Sequence, residues 1–167
     1  GTSTTQLRAV ATSRTGASSV YVGFIQTSNT PAGRTVRRYD AAPPYALLGE
    51  LGPGTSQPKA LDTDDRGNVF IAYRDSGTSG SGLVSASADL RAVNPRLDVG
   101  TPVVGGLCVR REGDVYRAYV TYEGEGLVRR YDVTDPARMA LDSSFGTGGS
   151  FQIPTAAELR GCAFDAD

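Results

Sequence analysis

Short apolar runs, each bounded by Gly, Pro or clustered polar residues, recur along the whole chain. Val20-Tyr21-Val22-Gly23-Phe24, Val69-Phe70-Ile71-Ala72-Tyr73 and Val115-Tyr116-Arg117-Ala118-Tyr119 are rich in β-branched and aromatic residues, which suit a pleated, half-buried surface. A shorter apolar segment precedes each, at Leu7 to Ala11, Ala60 to Asp62 and Leu107 to Val109, and a polar turn joins the two. Gly67-Asn68 and Gly113-Asp114 end two of these turns and tolerate positive φ in a hairpin. A third run follows at Val36 to Asp40, Val84 to Asp89 and Val128 to Asp132, and a fourth, less regular, is expected at Tyr45 to Leu51, Asn94 to Val99 and Ser150 to Ile153. No 3.6-residue apolar period is sustained. Only Asp135 to Leu141, with Pro136 at a first helical position, and Thr155 to Arg160 suit a short helical turn.

The third run establishes a repeat. Val36-Arg37-Arg38-Tyr39-Asp40 returns identically as Val128-Arg129-Arg130-Tyr131-Asp132, 92 residues later, with Val84-Ser85-Ala86-Ser87-Ala88-Asp89 as a degraded copy between them. The period is close to 46 residues and holds four strands, which matches one unit of a β-propeller. The expected fold is all-β: three four-stranded antiparallel sheets at about 7–54, 58–104 and 105–154, plus the first strand of a fourth at about 160–167, in a single segment spanning 1–167. Closed propellers use about 4 to 8 such sheets, and one sheet cannot bury both faces alone. The set is therefore expected to be incomplete as a closed ring, completed by further sheets from the same or another chain. A free-standing unit whose last strand pairs back onto the first sheet is the alternative.

Ala60 to Ala72, which contains Asp64-Asp65-Arg66-Gly67-Asn68-Val69-Phe70-Ile71-Ala72, resembles the Asp-x-x-Gly-Asn-Val-Tyr-Val-Ala core of NHL-type propeller repeats, with Asp64 or Asp65 at the acidic position. The second unit carries one extra turn residue, the third has Arg110 and Arg111 at the acidic position, and the first stretches the turn over Thr12 to Ser19. Leu141-Asp142-Ser143-Ser144-Phe145-Gly146-Thr147-Gly148-Gly149 is similar to a signature of secreted bacterial propeller-like repeats. Thr63 to Phe70 loosely resembles the Asp-box of sialidase-type propellers, with Thr for Ser and Phe for Trp. These resemblances imply a propeller fold, and that fold hosts many unrelated functions.

Composition narrows the function. The chain has 167 residues, 39% of them apolar, with 21 Gly and 9 Pro, as one turn-rich domain requires. Its net charge of −1 is spread without a basic block, so no nucleic-acid partner is expected. No apolar run approaches the roughly 18 residues of a membrane span, and no direct membrane insertion is expected. The absence of His removes Ser-His-Asp, Cys-His and His-metal chemistry from within this chain. Gly146-Thr147-Gly148-Gly149 follows no strand-to-helix pattern and is no phosphate loop.

Three groups of residues carry candidate chemistry. Asp62, Asp64 and Asp65 with Gly67 suggest a Ca²⁺ loop, but Arg66 stands fifth and Tyr73 twelfth, where a bidentate Glu belongs. That favours a hairpin turn with exposed acids over calcium, the one cofactor in view. Alternation puts Arg37 with Tyr39, and Arg129 with Tyr131, on one strand face, and Arg38 with Asp40, and Arg130 with Asp132, on the other. Either each Tyr packs between sheets while one Arg snorkels over it and the other pairs with its Asp, or Arg37, Tyr39, Arg129 and Tyr131 bind an anionic or glycan ligand. Cys108 and Cys162 lie one residue out of register in adjacent units, which turns them to opposite faces and favours two buried thiols; a bridge would suit a secreted protein. The function expected is a non-enzymatic scaffold or recognition surface for protein or carbohydrate, outside the cell or in its envelope. The alternatives are part of a glycan-active hydrolase or lyase whose catalytic residues lie outside this chain, and an assembly subunit pairing through open strand edges.

Overall fold

The computed structural model describes residues 5–16, 18–26, 34–51, 56–75, 80–154 and 158–164. Sheet 1 is built from β1 (Thr5–Thr12), β2 (Ser19–Gln26), β3 (Arg34–Asp40) and β4 (Leu47–Leu51), in that order and antiparallel throughout. Sheet 2 repeats the pattern with β5 (Ser56–Thr63), β6 (Val69–Asp75), β7 (Ser81–Ala86) and β8 (Leu97–Gly100). In sheet 3, β9 (Val104–Glu112), β10 (Val115–Tyr122) and β11 (Leu127–Asp132) are followed by two short strands, β12 (Ala140–Leu141) and β13 (Ser150–Gln152), which pair with opposite ends of β11. The fold class is the one expected. The fourth strand of sheet 2, expected at Asn94 to Val99, runs instead over Leu97–Gly100, with an isolated bridge between Val93 and Ala86 ahead of it.

Gly67 at φ 91° and Gly113 at φ 63° close the β5–β6 and β9–β10 hairpins in the left-handed conformation that a side chain would strain. The helical turn expected at Asp135 to Leu141 is instead a tight turn that runs straight into β12. Asp135 accepts from the Arg138 N–H at 3.0 Å through its carbonyl and from the Ala137 N–H at 3.0 Å through its carboxylate, which offers the backbone an alternative to a helix. Of the second expected helical turn, residues 155–157 lie outside the described residues, and Glu158 to Arg160 are not helical.

The three sheets stack face to face, and two apolar cores fill the spaces between them. Ala11, Tyr21 and Val36 of sheet 1 meet Leu61, Ile71 and Val84 of sheet 2. Phe70, Ala72 and Leu83 of sheet 2 meet Val109, Val120 and Tyr131 of sheet 3. Successive residues of β6 therefore enter different cores, and the middle sheet is covered on both faces.

Strand pairing defines which positions correspond. Gly23, Ala72 and Thr121 stand opposite Val36, Leu83 and Val128. The degraded middle copy thus begins at Leu83, one residue before its apparent start. The equivalent of Val20 to Phe24 in sheet 3 is Ala118 to Tyr122, not Val115 to Tyr119, because the β9–β10 hairpin is longer at its turn end and carries extra strand-like residues ahead of the repeat. On this register each sheet has a forward face, towards the following sheet, and a rear face. The expected opening strand of a fourth sheet falls at Glu158 to Phe164, which runs across the forward side of β9 without forming a strand among the described residues.

Candidate functional site

The repeated pentapeptide presents the same face in both of its sheets, with opposite surroundings. Arg129 and Tyr131 lie on the rear face of sheet 3, where Tyr131 is buried against sheet 2 and Arg129 is half-buried beside it. The Tyr131 and Tyr122 hydroxyls are 2.8 Å apart, and Arg129 Nη1 donates to the Val99 carbonyl at 2.8 Å while its guanidinium lies 5.3 Å over the Tyr122 ring. Burial pushes the Tyr122 phenol well above the ordinary tyrosine value and raises that of Tyr131 as well. Arg37 and Tyr39 lie on the rear face of sheet 1, where no described sheet covers them. Arg37 stacks 4.6 Å over Phe24 and donates through Nε to Glu50 at 2.9 Å. Around them Leu7, Val10 and Leu47 are 65%, 51% and 53% exposed.

Phe24, Tyr73 and Tyr122 are the corresponding rear-face aromatics, and each carries an arginine. In sheet 2 it is Arg96, 4.9 Å over Tyr73, whose phenol burial pushes up to about 12. A cation on a ring is thus a repeated packing device, and in sheet 1 no described sheet covers it.

The other arginine of each copy does not pair with its own Asp. Arg38 donates through Nε to Ser19 Oγ at 3.0 Å, and Arg130 to Asp142 at 2.8 Å. Asp132 takes Arg117, its directly opposite cross-strand neighbour, at 2.5 Å. Residues two apart on one strand are nearly 7 Å apart, farther than a cross-strand pair, so the neighbour wins. Hydrogen bonds from Ser144, then the charges of Arg117 and Arg130, hold Asp142 below the usual carboxylate range. Burial raises Asp132, but Thr134 and Arg117 outweigh it and the carboxyl is held low as well.

Asp62, Asp64 and Asp65 turn to three different sets of donors. Asp64 is not an exposed acid: at 1% exposure it accepts from the N–H groups of Arg66 and Asn68 at 3.1 and 2.8 Å, from Asn68 Nδ2 at 2.8 Å and from Arg66 Nε at 2.9 Å. Its oxygens satisfy the turn's own donors, which is why the turn buries it. Asp65 accepts from the Tyr116 hydroxyl. Asp62 takes Arg14 at 2.9 and 3.0 Å and the Val109 N–H at 2.6 Å. Burial raises Asp62 despite these donors. Among the described residues no three acidic, thiol or imidazole groups gather as a metal site would need.

Cys108 and Cys162 form a disulfide, with Cα atoms 5.9 Å apart, and are not two buried thiols. The opposite-face expectation required both cysteines to sit in strands of one register, and Cys162 lies in the irregular segment that crosses the forward side of β9. Cys108 and Asp62 are equivalent by pairing, opposite Tyr119 and Phe70. One reaches forward through a disulfide and the other through a carboxylate on the Val109 N–H, so both tie an innermost strand to the segment that follows it. Phe164 continues the contact, edge-on to Tyr119 at 5.2 Å and beneath Arg110 at 4.8 Å. A cleft of about 560 Å³ opens beside the disulfide, lined by Arg14, Asp62, Arg110, Arg111 and Phe164. A smaller one of about 170 Å³ is lined by Arg8, Lys59 and Arg160. Arg110 and Arg111 stand out in the sequence only as a departure from the repeat motif, and Lys59 only as the chain's one lysine.

Stacked four-stranded sheets joined at their first strands can be compared with solved structures directly. The WD40 domain of Toxoplasma gondii coronin matches with a TM-score of 0.56 at 10% identity, covering 89% of this chain and 35% of that one. The fold is of the β-propeller type. Each sheet is a blade, and the chain spans about a third of the coronin domain's length. The likeness reaches the propeller fold and not the NHL or Asp-box subtypes that the motifs resemble. No family model and no curated protein matches the chain.

Proposed function

We propose that this chain is a non-enzymatic propeller segment that acts as a scaffold and recognises protein through the open rear face of its first blade. One observation carries the reading: Arg37 and Tyr39, half-buried on a face that no described sheet covers, correspond to Arg129 and Tyr131, and there Tyr131 is buried with Tyr122 against a neighbouring blade. A face with that construction, flanked by exposed Leu7, Val10 and Leu47, suits another four-stranded sheet of the same type. On the forward side of the third blade Tyr119, the equivalent of Tyr21 and Phe70, already packs against Phe145 and Phe164, so the rear face of the first blade is the one that stands open among the described residues. The disulfide supports a place in an oxidising compartment, outside the cell or in its envelope.

The probe is a second copy of this chain, followed by light scattering across concentration. Mass should rise and then level off at a dimer, because two open rear faces meet in one isologous contact that limits itself. Val10→Asp with Leu47→Asp should return it to the monomer without lowering the melting midpoint. A strict monomer at every concentration, or association that the double variant leaves unchanged, would contradict the reading.

A further inference from the structure

The innermost strands share a device that the blades' packing does not require. β1, β5 and β9 each carry one unpaired extra residue at the same level, namely Arg8, Lys59 and Gly105, next to the equivalent pairs Ala9–Gly23, Ala60–Ala72 and Gly106–Thr121. A bulge takes its residue out of the strand's alternation and re-aims the side chain. In β1 and β5 that residue is a cation. In β9 it is glycine, because the backbone of Leu159 to Gly161 lies against it and an added Cβ would strike the Leu159 carbonyl. The same segment brings in Arg160, which restores a cation at the level where Gly105 lacks one.

Arg8, Lys59 and Arg160 line one cleft of about 170 Å³. Leu61, Leu107 and Cys162 separate it from the larger cleft, to which Arg14, Arg110 and Arg111 contribute against the one acid Asp62. Acids answer the cations of the larger cleft, where Arg14 pairs with Asp62 at 2.9 Å, Arg110 with Glu112 at 3.4 Å and Arg111 with Asp114 at 3.5 Å, so the positive charge with no acid in its own lining is that of the small cleft. Local partners satisfy part of it: Gln6 accepts from Arg8 at 2.5 Å, and Glu158 pairs with Arg160 at 2.8 Å. Lys59 has no ion-pair partner among the described residues. Like charges held at one level repel one another until an anion enters between them.

We propose that the inner edge at the level of the three bulges is an oxyanion site, in which Arg8, Lys59 and Arg160 hold a phosphate or sulfate group. Two guanidinium forks and a compact ammonium supply charge-assisted donors to a tetrahedral anion, and the small cleft suits a single such group. The larger cleft beside it has room for whatever the group is esterified to.

Inorganic phosphate titrated calorimetrically into the intact protein, against chloride at matched ionic strength, tests the site. Binding should be saturable and raise the melting midpoint by roughly 5 °C at a hundredfold excess over Kd. Lys59→Gln should weaken it about tenfold or more, and the triple change Arg8→Gln, Lys59→Gln, Arg160→Gln should abolish it while leaving the midpoint in chloride unchanged. Arg138→Gln, on a distant exposed turn, and Leu47→Asp alone, outside the lining of the cleft, should both retain it. Glucose 6-phosphate binding more tightly than phosphate marks an esterified ligand, and equal binding marks the free anion. Phosphate that behaves as chloride does, or full affinity in Lys59→Gln, overturns the proposal.

Discussion

Asp64 is a carboxylate inside the protein, and four donated hydrogen bonds from Arg66 and Asn68 make that tolerable. Asp64→Ala strands those donors and should lower stability by about 3 kcal/mol, whereas Asp65→Ala loses one contact with Tyr116 and should cost about 1 kcal/mol. Thermal unfolding of the two variants side by side reads the difference. At acid pH the relevant groups are Asp132 and Asp142, both held below 3.8 in the folded protein. The folded state there releases protons that the unfolded state keeps, so their contribution is complete above the unfolded value near 4 and is lost as pH falls through the folded values. Asp62 works in the opposite sense: its pKa is raised, so ionising it subtracts stability as pH climbs above 3.8. Urea midpoints followed downwards from about pH 5 should fall less steeply in Asp142→Asn than in the wild type. Parallel curves would remove Asp142 from the account.

Between elements, the ties that follow each innermost strand matter as much as the sheets. The disulfide joins positions 54 residues apart, and on chain entropy a loop of that length contributes about 4 kcal/mol. Reduction, Cys108→Ser and Cys162→Ser should each lower the melting midpoint by a similar amount, and a reduced protein melting at the oxidised midpoint would show that the bridge constrains nothing. This tie also marks where sequence reading stopped. Strand composition was enough to find the four-strand period, because β-branched and aromatic residues serve every blade alike. Register was not legible: Val115-Tyr116-Arg117 looks as strand-like as Ala118-Tyr119-Val120, and only the pairing with β11 decides between them. The bulges at Arg8, Lys59 and Gly105 leave no mark on composition. Cys162 escaped a face argument because its segment is not a strand.

At the scale of the whole molecule, position in the stack overrides local sequence. Val-Arg-Arg-Tyr-Asp is identical in blades one and three, yet Tyr131 is buried at 2% exposure while Tyr39 borders an open face. The difference comes from which blades have a described neighbour on that side. Among the described residues the middle blade alone has another blade on each side, with every residue from Ser81 to Ala86 buried. Amide hydrogen exchange followed residue by residue tests that stack most directly. The slowest exchange should fall in β6 and β7, with β10 and β11 next and β1 to β3 faster. Protection that is equal across the three blades, or greatest in the first, would contradict it.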